Sequence, residues 1–195
     1  MRIMPEQAAA FHCPRWEELP KLQLYMDQVI LVLEETLSMF MEEKEPVVTS
    51  TMINNYVKQK VILPPAQKKY GREQLAQLMV VCLLKKVFSI NEITSLMAMM
   101  MEHHAPGAAY DSFCVGLEGA LKRAFAPGEI VAPVPAPEGD DALIAQNAAL
   151  TALVGKLVVV DRLSAEAAKK PKREKAAAQK GAAQPKGEKG KTQKP

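Results

Sequence analysis

The chain has 195 residues, with 25 Lys+Arg against 22 Asp+Glu, and 48% of it is apolar. This suits one or two small domains with a real core. Apolar bursts such as Met79–Leu84 fall far short of the roughly 18 residues of a membrane span, and the start MRIMPEQ lacks the basic-then-apolar pattern of an export signal. The three cysteines, Cys13, Cys82 and Cys114, form no CxxC pair. A cytoplasmic, reducing setting with no membrane partner is therefore expected.

Charge is distributed unevenly along the chain. Residues 165–195 carry a net +7 and residues 46–93 a net +5, whereas 1–45 and 94–164 carry −5 and −4. Two basic regions alternate with acidic ones, a pattern that the overall pI conceals.

Residues 1–20, interrupted by Pro5, Pro14 and Pro20, read as an N-terminal arm that Phe11 and Trp16 can pin to the core. From 21 to 43 the apolar positions Leu22, Tyr25, Met26, Val29, Ile30, Leu33, Leu37 and Phe40 follow helical spacing, predicting one helix of over 20 residues. A short helix is predicted at 51–60. Thr49, Ser50 and Thr51 are candidate N-caps, and Ile53, Tyr56 and Val57 form its inner face. Pro64–Pro65 ends any helix before them.

Gly71 can cap a helix at 72–87 with Leu75, Leu78, Met79, Cys82 and Leu83 inward. Ser89-Ile-Asn-Glu92 reads as a capping box opening a helix at 90–103. Pro106 and Gly107 close that helix, and another is predicted at 109–125 on Tyr110, Phe113, Leu117 and Leu121. Residues 126–139, with four Pro and two Gly, form a linker. Asp140 or Asp141 then caps a helix reaching about Leu163, whose apolar face Leu143–Val158 is the first candidate for a dimer contact, with the 109–125 helix second. The 165–195 tail has no large apolar residue and is expected to be disordered. Its 10 cations suit either a solubilising end or non-specific nucleic-acid contact.

The chemistry is concentrated in 49–93. On the short helix, Thr51, Asn54, Asn55 and Lys58 share one face, opposite Ile53 and Val57. Asn can make bidentate bonds to adenine, and Thr and Lys can reach phosphates or base edges. The loop Gln67-Lys-Lys-Tyr-Gly-Arg72 sets three cations beside an aromatic, as suits a wing on a DNA backbone. The candidate DNA-binding residues are Ser50, Thr51, Asn54, Asn55, Tyr56, Lys58, Lys60, Lys68, Lys69, Tyr70 and Arg72. Tyr56 and Tyr70 are read chiefly as packing residues, with hydroxyls that can reach phosphate.

This segment resembles the MerR-type winged helix-turn-helix. Met52-Ile53-Asn54-Asn55-Tyr56 sits in the recognition-helix slot, followed by Val61-Ile62-Leu63-Pro64-Pro65. Tyr70-Gly71-Arg72-Glu73-Gln74-Leu75 matches the wing and the next helix start, and Phe88-Ser89-Ile90-Asn91-Glu92-Ile93 the closing motif. The combined pattern is also similar to the YkrK-like family of bacterial proteins, catalogued as a domain of unknown function. The resemblance covers about Leu22–Ala105. Asn54 stands where that pattern has Arg, and Lys60 where it has Gly, which is unfavourable if φ is positive there.

The resemblance implies a MerR-like winged helix-turn-helix over 21–105, and with the further helices that apolar spacing predicts within 106–125 and 140–164 the expected fold is all-α. It also implies a bacterial transcription regulator that binds double-stranded DNA. A homodimer is expected, because one short helix reads few base pairs. No effector-domain motif follows, so the resemblance implies DNA binding but leaves the small-molecule effector unknown. The competing class is a helical protein–protein interaction module, favoured by the net acidity of 1–164 and by any interruption of the basic face at 42–45.

The Met97–Met101 cluster reads as core, or as an adaptable pocket. His103–His104 and His12–Cys13 lack four-ligand spacing, so no metal is expected. No phosphate loop, nucleophile elbow or carboxylate pair appears, so neither an enzyme nor a cofactor is expected.

Overall fold

The computed structural model describes residues 2–41, 45–126 and 138–181, with side chains described as far as Ala168. Among the described residues seven α-helices follow in order: α1 (Pro5–Ala10), α2 (Met26–Leu37), α3 (Ser50–Lys58), α4 (Arg72–Leu84), α5 (Ile90–His103), α6 (Pro106–Phe125) and α7 (Asp141–Gly181). Short 3-10 turns lie at Trp16–Glu18 and Ser38–Phe40. Among the described residues there is no strand, only two isolated bridges, so the all-α expectation holds.

α4 is the central helix. Leu75, Ala76, Leu78, Met79, Val81, Cys82, Leu83 and Leu84 are all buried, so apolar residues run right round it. It packs against α2, α6 and α7, and a continuous core runs from Ile3 through α2, α3 and α4 to Leu157. The Ser89 capping box forms: Glu92 Oε2 accepts the Ser89 N–H at 2.7 Å, and Ser89 Oγ accepts that of Glu92 at 3.4 Å.

Several boundaries differ from the expectations. The helix expected over 21–43 is α2, with 12 residues. Periodicity alone extends it to Leu22, but Leu24 instead pairs its backbone with Tyr70 in both directions, at 2.9 and 2.8 Å, and Leu22 is 81% exposed. Pro106 opens α6 rather than only closing α5, because the missing N–H of proline is no loss in a first helical turn.

The apolar stripe of α7 is not left for a second copy. Leu150, Leu153, Val154 and Leu157 are buried within the chain, and α7 packs on α4, α5 and α6. This burial overrides the weak helix preference of the β-branched run 158–160. The expectation that no segment approaches a membrane span is corrected on composition: within 141–168 an 18-residue stretch has a mean hydropathy of 1.8, enough in length and composition to cross a membrane, but Leu150, Leu153, Val154 and Leu157 face the protein core. α7 continues to Gly181, past the 164 boundary and into the region expected to be disordered, where Ala, Lys, Glu and Gln are good helix formers. The rest of the tail, 182–195, and most of the linker, 127–137, lie outside the described residues.

The arm packs on α6. Phe11 meets Phe40 edge-on at 4.9 Å, and Trp16 meets Tyr110 at 6.5 Å, as the pinning role expected of them requires. Arg15 grips Glu118 with two parallel bonds of 2.8 Å, a bidentate fork that fixes orientation as well as charge. Burial pushes the Glu118 carboxyl up, but the bonds from Arg15 and the Cys13 N–H outweigh it and bring the pKa below the usual range. At the chain start, Asp161 of α7 accepts the Ile3 N–H at 3.0 Å.

Candidate nucleic-acid interface

α3 is placed by contacts at both of its ends. Thr49 caps it, accepting the Met52 N–H at 3.2 Å, and Lys85 Nζ, just past the end of α4, donates to the Val47 carbonyl before α3 at 2.9 Å. Ile53 and Tyr56 turn inward and are buried. Burial raises the Tyr56 hydroxyl above its ordinary pKa, with a smaller push from Cys82.

The helix ends in a Schellman motif. The Val61 N–H reaches the Tyr56 carbonyl at 2.9 Å and the Lys60 N–H that of Val57 at 3.0 Å. Lys60 has φ 59°, the left-handed conformation that glycine adopts without strain. The chain then runs along α4, where Gln77 Oε1 accepts the Leu63 N–H and Gln74 Nε2 donates to the Pro64 carbonyl.

A very small hairpin follows. Ala66 and Lys69 exchange backbone bonds of 3.0 and 2.9 Å around Gln67 and Lys68, whose φ angles are 49° and 63°. Positive φ at both central residues is the type I′ turn, which normally selects Asn-Gly. Here two residues with side chains hold it, at a cost of roughly 1–2 kcal/mol each. Leu24–Tyr70 pairing anchors the base of the hairpin beside the start of α2.

The expected site residues separate into two groups. Ser50, Thr51, Asn54, Asn55, Lys58, Lys60 and Lys68 are exposed. Lys69 is half-buried, with its ammonium 5.1 Å from the centre of the Tyr25 ring. These residues surround the outer face of α3 and the hairpin, and no Asp or Glu occurs between Pro46 and Arg72. Residues 42–44 of the acidic stretch lie outside the described residues, and Glu45 is exposed.

Tyr56, Tyr70 and Arg72 are elsewhere. Tyr56 is 6% and Tyr70 2% exposed, so both act as packing residues, and burial raises the Tyr70 hydroxyl too. Arg72 donates to Glu17 at 3.0 Å and lies over the Trp16 ring at 5.5 Å. Its guanidinium is thus held by the arm, a contact with no signal in the local sequence.

Elsewhere, Met97, Met100 and Met101 line a cleft with Trp16, Tyr110 and Phe113 between α4, α5 and α6. Met100 is core, whereas Met101 is 39% exposed, so the cluster spans both expected roles. No grouping of His, Cys, Asp or Glu among the described residues is arranged to hold a metal ion. Cys13 and Cys114, far apart in the chain and joined by no motif, meet between the arm and α6.

A family model described as a domain of unknown function, DUF1836, matches residues 14–113, which include the second half of the arm, the hairpin and the start of α6. No curated protein and no solved structure matches the chain.

Proposed function

The chain belongs to the DUF1836 family, and from that premise we propose that it is a sequence-specific, double-stranded DNA-binding transcription regulator of the MerR-like winged helix-turn-helix type. The single observation that carries this reading is that an exposed helix face of Thr51, Asn54, Asn55 and Lys58 is followed in the chain, with no intervening acidic residue, by an exposed Lys68 at the tip of a turn held in an unfavourable conformation. Backbone strain kept by surrounding contacts is a feature of functional sites.

In this reading α2 and α3 are the helix-turn-helix and 66–70 is the wing. The Asn amides read base edges in the major groove, and Lys58, Lys60, Lys68 and Lys69 meet phosphates. Arg72 is not among the phosphate contacts, because Glu17 and Trp16 hold it. Tyr56 and Tyr70 shape the interface from beneath. A homodimer would double the number of base pairs read. The buried stripe of α7 is not available for that contact, so the dimer would use another face.

The test is binding of full-length protein to random duplex at rising salt. A log–log slope of about −0.9 for each phosphate contact is expected, and Lys68→Ala should reduce it by one such contact. Absence of binding at low salt would favour the second reading, a protein-docking module. That reading has its own observation: Leu22, Tyr25 and Leu31 are 81%, 53% and 55% exposed on and just before α2.

A further inference from the structure

We propose that Cys13 and Cys114 are a modification site, a dithiol that a peroxide oxidises to an intramolecular disulfide joining the arm to α6. Their sulfurs lie 3.0 Å apart, with Cys114 donating to Cys13, and both side chains are fully buried. A disulfide requires about 2.05 Å, so the sulfurs need approach by only about 1 Å, within reach of side-chain rotation.

The backbone around the pair is firmly held. Glu118, one turn beyond Cys114 on α6, accepts the Cys13 N–H at 2.9 Å. Arg15 bonds Glu118 and also donates to the Cys13 carbonyl at 2.6 Å. The next residue, Trp16, donates its N–H to Asp111 of α6 at 2.7 Å. The arm is thus attached to α6 on both sides of the cysteine, and the facing of the sulfurs is set by a network of charged and backbone bonds.

The two thiols differ in character. The hydrogen bond from Cys114, and to a lesser degree Tyr110 and Arg15, hold the Cys13 pKa below its ordinary value against the effect of burial. Cys114, the donor in that bond and itself buried, is pushed up. With Cys114 donating its S–H to Cys13 across 3.0 Å, Cys13 is the sulfur assigned to attack peroxide and Cys114 the resolving thiol. Cys82 sits apart in α4, where burial pushes its pKa up to about 11, and it serves as an internal control.

The chemistry balances with hydrogen peroxide as the oxidant. The Cys13 thiolate attacks one peroxide oxygen, the O–O bond breaks, and the departing hydroxide takes a proton to become water. Cys13 is left as a sulfenic acid. The Cys114 sulfur, losing its proton, then attacks the Cys13 sulfur and expels the sulfenic oxygen as a second water. Two thiols lose two hydrogens in total, and one peroxide becomes two waters. Because both sulfurs are buried, peroxide reaches them in a local opening that transiently breaks the Arg15–Glu118 and Trp16–Asp111 contacts, and the bond forms as these contacts re-form.

The experiment uses reduced full-length protein exposed to hydrogen peroxide, then alkylated and measured by intact mass and peptide mapping. The expected product is a monomer lighter by two hydrogens, with one alkylatable thiol in place of three and a linked peptide joining Cys13 to Cys114. Cys114→Ser should abolish that peptide, and Cys82→Ser should leave it intact. The proposal is overturned if three free thiols persist at peroxide levels that oxidise a model thiol, if Cys82 enters the bond, or if the cysteines end as separate sulfinic acids. Thiols alone are counted, so the outcome does not depend on whether the chain binds DNA.

Discussion

Arg72 and Glu17 are joined across 55 residues by a bond of 3.0 Å, which links the arm to the first residue of α4 next to the hairpin. Glu17 is 73% exposed while Arg72 is 19% exposed, so the pair lies at the surface with the cation turned inward over Trp16. If this contact holds Arg72 away from DNA, Arg72→Ala leaves the salt slope of binding unchanged, whereas Lys68→Ala lowers it by about 0.9. Glu17→Gln should release the guanidinium and steepen the slope by up to about 0.9. Its effect on stability should stay within about 1 kcal/mol, as for other surface ion pairs. Equal slope losses for Arg72→Ala and Lys68→Ala would show that Arg72 swings out to phosphate.

Lys60 occupies the left-handed position of the α3 Schellman motif at φ 59°. Lys60→Gly is expected to stabilise the protein by roughly 1 kcal/mol, because glycine removes the Cβ clash. Lys60→Val should destabilise it by a similar amount or more, since β-branched residues tolerate positive φ poorly. Chemical denaturation of the three proteins measures this ordering.

Gln67 and Lys68 hold a turn that Asn-Gly would form with less strain. The double change Gln67→Asn with Lys68→Gly should raise stability by about 1 kcal/mol or more, yet weaken binding to all duplexes alike. Opposite movements of stability and affinity are the signature of a turn that carries its cation for function. Parallel movements would make the turn merely structural.

Leu153 of α7 is fully buried. Leu153→Ala should cost about 2–5 kcal/mol, the usual range for a buried leucine, and light scattering should show no change in oligomeric state. Loss of a dimer without loss of monomer stability would place the stripe between copies instead.

Much of this architecture was legible in the sequence because local rules and packing agreed. Ser89 and Glu92 sit at capping-box spacing, and α5 spans the predicted 90–103 range. Ile53 and Tyr56 point inward as the α3 pattern requires, and glycine missing at Lys60 correctly signalled a strained cap. What was not legible depended on distant contacts. Leu24 leaves the helical pattern because Tyr70 offers it a backbone partner. Arg72 reads locally as a wing cation, and nothing near it in sequence tells that Glu17 and Trp16 meet it in space. Cys13 and Cys114 carry no motif, since only the fold of the arm onto α6 unites them. The α7 stripe looked unpartnered because periodicity shows that a face is apolar, not what covers it.

The most direct measurement is selection of bound duplexes from a random pool by the full-length protein, followed by a salt titration on the selected site and on a scrambled control. Enrichment of a defined sequence is expected. Asn54→Ala and Asn55→Ala should weaken the selected site by about 1–3 kcal/mol per lost bidentate contact while leaving the scrambled duplex nearly unaffected. No enrichment, or folded Asn variants that discriminate as well as wild type, would contradict α3 as the element that reads DNA.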